Sequence, residues 1–177
     1  MKTESTVKYV LRLAAILLAI TSVVAALLAG VNSVTAPVID KLNEEKTQKA
    51  IEAVLPGGGV SVDFPATETV SVVYKGEAGY AVQVAPAGFD GAIDMMVGIG
   101  TDGTVTGVSV ISHSETASLG AECTREDWRA QFVGAQGELK VTKDGGTIDA
   151  LTGATVTSRA VTEAVQIALD FVKEAEA

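Results

Sequence analysis

Hydroxyl side chains crowd the segment DALTGATVTSRAV, residues 149–161, which precedes the last predicted helix. Thr157 or Ser158 is predicted to cap that helix by accepting a hydrogen bond from a free backbone N–H of the first turn. A helix N-terminus also favours a phosphate, and Arg159 adds a cation with phosphate-matched geometry. The segment therefore predicts a phosphate near Thr155, either bound or covalently bonded.

The stretch DALTGAT, residues 149–155, resembles the D-x-x-[ST]-G-A-T pattern that flavin transferases recognise in the FMN-binding domain family. In that family the last threonine carries FMN as a phosphoester, which implies a covalent FMN on Thr155. A threonine alcohol is a poor nucleophile, so an external flavin transferase and an activated flavin donor are expected. The resemblance assigns to cofactor binding the neighbouring residues Asp149, Thr152, Gly153, Ala154, Thr157 and Ser158.

A second segment, HSETASLGAE at residues 113–122, resembles the H-x-E-T-x-G-L-G stretch of the same family, which follows a strand and lies against the flavin ring. Ser118 stands where glycine is usual, and glycine is the residue that adopts a positive φ freely. From the residues alone, His113 is better explained as a hydrogen-bonding group at a strand end than as a cofactor contact. The resemblance implies a cofactor-binding set of His113, Glu115, Thr116, Leu119 and Gly120.

Composition excludes several other classes of protein. The formal net charge of −9 argues against nucleic-acid binding, which depends on Lys and Arg. One cysteine and one histidine are too few ligands for a zinc or iron–sulfur site, and Cys123 is expected to be a small buried hydrophobe. A G-x-G-x-x-G turn opening a helix is missing from the sequence, which argues against a Rossmann fold.

The N-terminal part of the chain predicts a single-pass membrane anchor. Residues 13–34 contain no charge, and 22 residues are enough to cross a hydrocarbon core of about 30 Å. Lys2, Lys8 and Arg12 precede this run, opposed by Glu4, so the positive-inside rule predicts a cytoplasmic N-terminus and an extracytoplasmic C-terminal domain. A cleaved signal peptide is the alternative, disfavoured because its apolar core is usually only about 7–15 residues long.

The remaining elements predict an α+β fold in which helices pack on an antiparallel sheet. The expected organisation is a cytoplasmic N-terminus (1–12), a transmembrane helix (13–34), a juxtamembrane helix and linker (35–59) and the FMN-binding domain (60–177). Two hairpins are expected, pairing 69–74 with 80–85 and 92–100 with 105–112. A short helix at 124–134, capped by Thr124, and a last helix at 157–175 complete the prediction.

Within the FMN-binding family the chain resembles the G subunits of Rnf ion-translocating ferredoxin:NAD⁺ oxidoreductase complexes, which are related to the C subunit of the sodium-translocating NADH:quinone oxidoreductase. This implies an electron-transfer subunit of the cell membrane with other membrane subunits as partners. Lys140 or Lys143 is a candidate to stabilise a reduced flavin, although a lysine in a surface loop is more often simply solvated. The alternatives are a membrane-anchored flavin protein outside an ion pump and an interaction domain without a cofactor.

Overall fold

The computed structural model describes residues 2–64 and 69–176, with side chains described from residue 8 onward. The charges of Lys2 and Glu4 that enter the orientation argument therefore lie outside the described side chains. The chain divides into two compact units, Met1–Glu44 and Glu45–Ala177, and each is considered by itself.

The first unit consists of helix α1, which runs from Lys2 to Val54 and whose last turns belong to the second unit. It is the one helix among the described residues that is long and apolar enough to cross a membrane, with a mean hydropathy of 2.5 in its most apolar window. The helix continues through residues 34 and 35, where the transmembrane and juxtamembrane segments were expected to meet, and Pro37 lies inside it. A proline removes one backbone hydrogen bond, and the helix nevertheless continues for 17 residues beyond it, to Val54.

The second unit is built on a five-stranded antiparallel sheet in the order β1-β2-β3-β4-β5. Both predicted hairpins are confirmed, with the strands β2 (Val70–Gly76), β3 (Gly79–Val84), β4 (Asp94–Gly100) and β5 (Val105–Ser112). The edge strand β1 (Val60–Val62) was not expected, because three residues are too few to show an alternation.

Both faces of the central strands are covered. Along β3, Val82 and Val84 belong to the main core with helix α3. Ala81, on the other face, packs with Ile51 in the last turn of α1 and with Leu55 directly after that helix. Side chains on a strand alternate between faces, so a strand covered on both faces is nearly all apolar, and in β3 the exception is the half-buried Gln83. The predicted α+β class, an antiparallel sheet with packed helices, is confirmed.

The helix expected at 124–134 is instead a broken segment. A 3-10 turn (Gly120–Thr124), helix α2 (Glu126–Arg129) and a second 3-10 turn (Ala130–Phe132) follow one another. The predicted Thr124 cap is wrong: Arg125 is the N-cap residue, and the Thr124 hydroxyl donates backwards to the carbonyl of Ala121 at 2.8 Å.

Aromatic and sulfur side chains of this region belong to the core, and the expected burial of Cys123 is confirmed. Trp128 and Phe132 pack edge to face with ring centroids 5.4 Å apart, and both are buried. Cys123 is fully buried, and burial raises the pKa of its thiol to about 11.

The last helix, α3, spans Thr155–Ala175 and buries the predicted apolar stripe against the sheet. It begins two residues earlier than expected, which changes the roles of the hydroxyl side chains at its start.

Candidate functional site

The two segments singled out in the sequence meet at the N-terminal end of α3. Glu115 follows β5 and Thr157 lies in the first turn of α3, yet the Thr157 hydroxyl donates to Glu115 Oε2 at 2.5 Å. Both side chains are buried, with exposed fractions of 7% and 1%. The fold therefore joins residues that are 42 positions apart in the chain.

The Glu115 carboxylate also holds a third segment. Its Oε1 accepts hydrogen bonds from the backbone N–H groups of Phe89 at 2.8 Å and Asp90 at 3.1 Å. Burial acts to raise the pKa of Glu115, but the donors from Thr157, Asp90 and Phe89 and the nearby His113 together bring that pKa below its usual value. Glu115 is thus a buried carboxylate stabilised in its charged form.

Two glycines make room for this carboxylate. A Cβ on Gly88 would overlap with Glu115 Oε1, and a Cβ on Gly120 would overlap with Oε2 and lie 2.8 Å from the Thr157 hydroxyl. Neither position has space for a side chain while Glu115 keeps its hydrogen bonds. Gly120 was predicted as a site residue on resemblance, and the structure gives a steric reason for a glycine there.

A cavity of about 290 Å³ opens beside the carboxylate. Eight of its ten lining residues were predicted as site residues, and they come from both segments: Glu115, Thr116, Leu119, Gly120, Gly153, Ala154, Thr155 and Thr157. The sequence reasoning missed Phe89 and Val156 as members of the wall. Phe89 is in a turn 26 residues before Glu115, and the motif gave no signal that this turn folds over the site.

The rim of the cavity is apolar and solvent-exposed. Phe89 is 71% exposed, Val156 47% and Leu119 43%. A group of exposed large apolar side chains beside a cavity is characteristic of a surface that a ligand or partner covers.

Thr155 is partly exposed in this wall, which also contains the exposed Thr116 and the buried Thr157. Thr155 is the first residue of α3, and the ammonium of Lys143 donates to its Oγ1 at 2.6 Å. Backbone N–H groups in the first turn of a helix have no partner within the helix, and together with the helix dipole they favour an anion. The end of the cavity at Thr155 is thus suited to a phosphate group.

The predicted cap at Thr157 or Ser158 is wrong. The N-cap residue is Ala154, and it makes no side-chain capping bond. The Ser158 hydroxyl instead accepts from the Leu151 N–H and donates to the Ala154 carbonyl, both at 2.9 Å, so it fixes the turn before the helix from inside. Helix α3 begins earlier because Gly153, at φ +76°, turns the chain directly into it.

Four predicted residues do not line the cavity: His113, Asp149, Thr152 and Ser158. The side chain of Asp149 is exposed. Its backbone carbonyl accepts from the indole N–H of Trp128, and its backbone N–H donates to Gln131 Oε1, both at 2.7 Å. Thr152 is exposed, whereas His113 is half-buried with a buried Nδ1 that has no hydrogen-bond partner among the described residues.

Ser118 is the one non-glycine residue in the described part of the chain with a positive φ, at +61°. The position where the family usually has glycine is therefore a left-handed position here too. The serine accepts a backbone cost of roughly 1–2 kcal/mol relative to the right-handed region.

A larger cavity of about 550 Å³ lies elsewhere, along the C-terminal half of α3. Its charged lining consists of Lys173 and four carboxylates, namely Asp102, Glu138, Asp170 and Glu176. An excess of carboxylates repels a phosphate, so the smaller cavity suits a phosphate-bearing ligand better.

Comparisons with known proteins agree with this site. The FMN-binding domain family matches residues 88–170, a range that contains every residue of the cavity wall. The G subunit of the ion-translocating oxidoreductase complex of Methanosarcina acetivorans is 36% identical, over 89% of this chain and 91% of that protein. The chain belongs to the G-subunit family of ion-translocating oxidoreductase complexes. Its members are components of oxidoreductases, and the predicted family is confirmed.

Two further relatives show how the similarity is distributed. The G subunit of the Na⁺-translocating ferredoxin:NAD⁺ oxidoreductase complex of Acetobacterium woodii is 34% identical over 92% of this chain and 91% of that protein. The G subunit from Vibrio vulnificus is 46% identical, but over 50% of this chain and 46% of that protein. The similarity to the Methanosarcina and Acetobacterium proteins spans nearly the whole chain.

The fold is also found in a solved structure. The crystal structure of the C subunit of the Na⁺-translocating NADH-quinone reductase from Parabacteroides distasonis superposes with a TM-score of 0.54 at 20% identity, over 72% of this chain and 89% of that one. At this identity the likeness concerns the fold, which the two chains share.

Proposed function

We propose that this chain is an electron-transfer subunit that carries FMN in the 290 Å³ cavity as a phosphoester of Thr155. The observation that carries the proposal is the position of Thr155, whose partly exposed hydroxyl lies in the cavity wall, at a helix N-terminus and against an ammonium. When bound, FMN supplies the redox chemistry by taking up and releasing electrons.

The residues present fit the group. A flavin needs an apolar surface for its ring, and Phe89, Leu119 and Val156 supply one at the rim. Its phosphate needs positive charge and N–H donors, which Lys143 and the first turn of α3 supply. The apolar side chains exclude water from the ring, and Glu115 holds the three surrounding segments in place through its hydrogen bonds.

Burial distinguishes Thr155 from the other hydroxyls of the motif. Thr157 and Ser158 are 1% and 0% exposed, and both are committed to hydrogen bonds inside the protein. Thr152 is exposed but lies outside the cavity wall. An external flavin transferase reaches an accessible hydroxyl. The cavity wall also contains the exposed Thr116, but Thr155 is the accessible hydroxyl that lies at the N-terminus of α3 and accepts from Lys143, so we propose Thr155 as the acceptor.

The partners we propose are the other membrane subunits of an Rnf-type complex, which relays electrons between ferredoxin and NAD⁺. The support is the Acetobacterium woodii relative, which is named as the G subunit of a Na⁺-translocating ferredoxin:NAD⁺ oxidoreductase complex. Helix α1 is proposed to anchor the chain in the cell membrane, with Lys8 and Arg12 on the cytoplasmic side and the FMN domain outside.

The test of covalent attachment is the intact mass of the full chain produced with a flavin transferase. The wild-type chain is expected to gain one FMN less one water, and Thr155→Val is expected to gain nothing, because valine keeps the branched shape and lacks the hydroxyl. Thr147→Val, at an exposed threonine eight residues earlier, is the matched control and is expected to gain the full mass. Flavin on the Thr155→Val chain, or none on the wild type, contradicts the proposal.

A further inference from the structure

Lys143 lies on a tight loop, residues 141–148, which positions its ammonium against Thr155. The 3-10 turn Thr142–Asp144 carries it, and Gly145 at φ +83° ends that turn. The loop closes on itself through the Thr142 N–H, which donates to the Ile148 carbonyl at 2.8 Å. The backbone that bears Lys143 is therefore fixed by hydrogen bonds within the loop.

The same loop has a second link to α3. The carboxylate of Asp144 accepts two hydrogen bonds from Arg159, from Nε and Nη2, each at 2.6 Å. Arg159 lies four residues after Thr155, so the two positions lie on one face of the helix. Adjacent residues 143 and 144 thus bind helix positions 155 and 159, and the two-bond pair fixes the register of the loop on the helix.

Lys143 differs from the nearby Lys140 and Arg159 in its ion pairing. Arg159 is neutralised by Asp144, and the ammonium of Lys140 lies 2.5 Å from the carboxylate of Glu138. The ion pairs of the described residues do not include Lys143. Its ammonium is therefore the positive charge at Thr155 that is available to a phosphate.

We propose that Lys143 is the positioning residue for flavin attachment: it orients the Thr155 hydroxyl and balances the negative charge of the phosphoester that forms there. The inference rests on the proposed function. An ammonium that donates to Oγ1 is not placed to accept the hydroxyl proton, so Lys143 is not the base of the reaction.

The attachment step transfers a phosphoryl group. The Thr155 oxygen bonds to the FMN phosphorus of a flavin adenine dinucleotide donor, and the P–O bond to the adenosine monophosphate breaks. The hydroxyl proton leaves to solvent or to a base of the transferase, adenosine monophosphate is released, and nothing is oxidised or reduced. Lys143 stabilises the charge that collects on the transferring phosphate.

The test compares initial rates of flavin incorporation into the full-length chain by a purified flavin transferase with flavin adenine dinucleotide. Lys143→Gln is expected to be roughly tenfold slower than wild type, because a charge-assisted contact to the transferring phosphate is lost. Lys140→Gln makes the same charge change in the same region, at a paired lysine, and is expected to match wild type. Lys143→Arg keeps the charge, and its rate of flavin incorporation is expected to lie between the rates of Lys143→Gln and wild type.

Two further readouts separate a positioning role from a structural one. The ratio of the wild-type rate to the Lys143→Gln rate is expected to shrink as salt rises, since an exposed charge is screened. The midpoint potential of the flavin in Lys143→Gln holoprotein is expected to equal that of wild type. The proposal is overturned by equal rates for Lys143→Gln and Lys140→Gln, or by a ratio that salt leaves unchanged, which indicates a folding defect.

A shifted midpoint potential with an unchanged rate also overturns it, because Lys143 then acts on the flavin ring. The proposed function fails separately, through a wild-type chain that takes up no flavin at all.

Discussion

Glu115 shows how one residue connects cofactor site and stability. Its carboxylate is buried, accepts hydrogen bonds from Phe89, Asp90 and Thr157, and has a pKa below the usual value. A carboxyl group whose pKa is lowered on folding stabilises the protein above its unfolded-state pKa. That stabilisation is lost as the pH falls through the folded-state pKa.

We therefore expect the free energy of unfolding of the wild-type chain to fall more steeply below about pH 4.5 than that of Glu115→Gln. Glutamine keeps the shape and an acceptor for the Phe89 N–H, but it does not titrate. The measurement is urea unfolding in detergent, followed by the fluorescence of Trp128, the single tryptophan. Glu163→Gln, at an exposed position on α3, is the control and should follow wild type; identical slopes for all three chains would refute the role of Glu115.

Some residues of the cavity wall could be predicted from the sequence and others could not. The motifs predicted most of the cavity wall, including Glu115 and Thr155, because residue types at fixed spacing are visible in the chain. They did not predict Phe89, or the use of Thr157 as a donor to Glu115, because both depend on contacts between distant segments. The predicted cap failed for the same reason: the Thr157 and Ser158 hydroxyls have tertiary and turn partners that outcompete capping.

At the scale of elements, the first turn of α3 is held against the 113–120 loop by close packing. Gly120 lies where the two meet, and a Cβ there would be 2.9 Å from Glu115 Cβ and 2.8 Å from the Thr157 hydroxyl. Gly107, on β5, would meet its nearest atoms at 3.5 Å, which is ordinary contact. The two glycines therefore offer a matched pair of substitutions.

Gly120→Ala is expected to destabilise the domain by about 1–3 kcal/mol, the usual cost of overpacking, and to slow flavin attachment because the cavity wall must shift. Gly107→Ala is expected to leave both nearly unchanged. Thermal unfolding and the extent of flavin incorporation measure the two effects. Equal unfolding temperatures and equal flavin incorporation for the two variants would show that the contact between the loop and α3 does not depend on Gly120.

The strands and the last helix were predictable because local patterns determine them. The alternation of β2 and the Asp-Gly turn between β4 and β5 are local signals, and so is the apolar stripe of α3. The segment at 120–132 was not predictable in detail, because Trp128, Phe132 and Cys123 are placed by packing in the core rather than by helix preference. Helix α1 passes through Pro37, which sequence rules alone treat as a boundary.

At the scale of the whole molecule, the charges divide at the anchor. The segment up to residue 34 has three bases and one acid, whereas the remainder has ten bases and twenty-one acids. An acidic domain is not attracted to an anionic lipid surface, so the proposed membrane location depends on helix α1 rather than on the charge of the domain. The N-terminal bases are the basis of the proposed orientation, with a cytoplasmic start for α1 and an extracytoplasmic C-terminal domain.

The lone cysteine makes this orientation measurable. Cys123 is fully buried, and burial raises the pKa of its thiol to about 11. The wild-type chain is therefore expected not to react with a membrane-impermeant maleimide at neutral pH. A new cysteine in Glu163→Cys, exposed on α3, is expected to react in intact spheroplasts, and one in Thr3→Cys only after the membrane is opened. The reverse pattern would place the flavin domain in the cytoplasm, and with it the site of electron exchange.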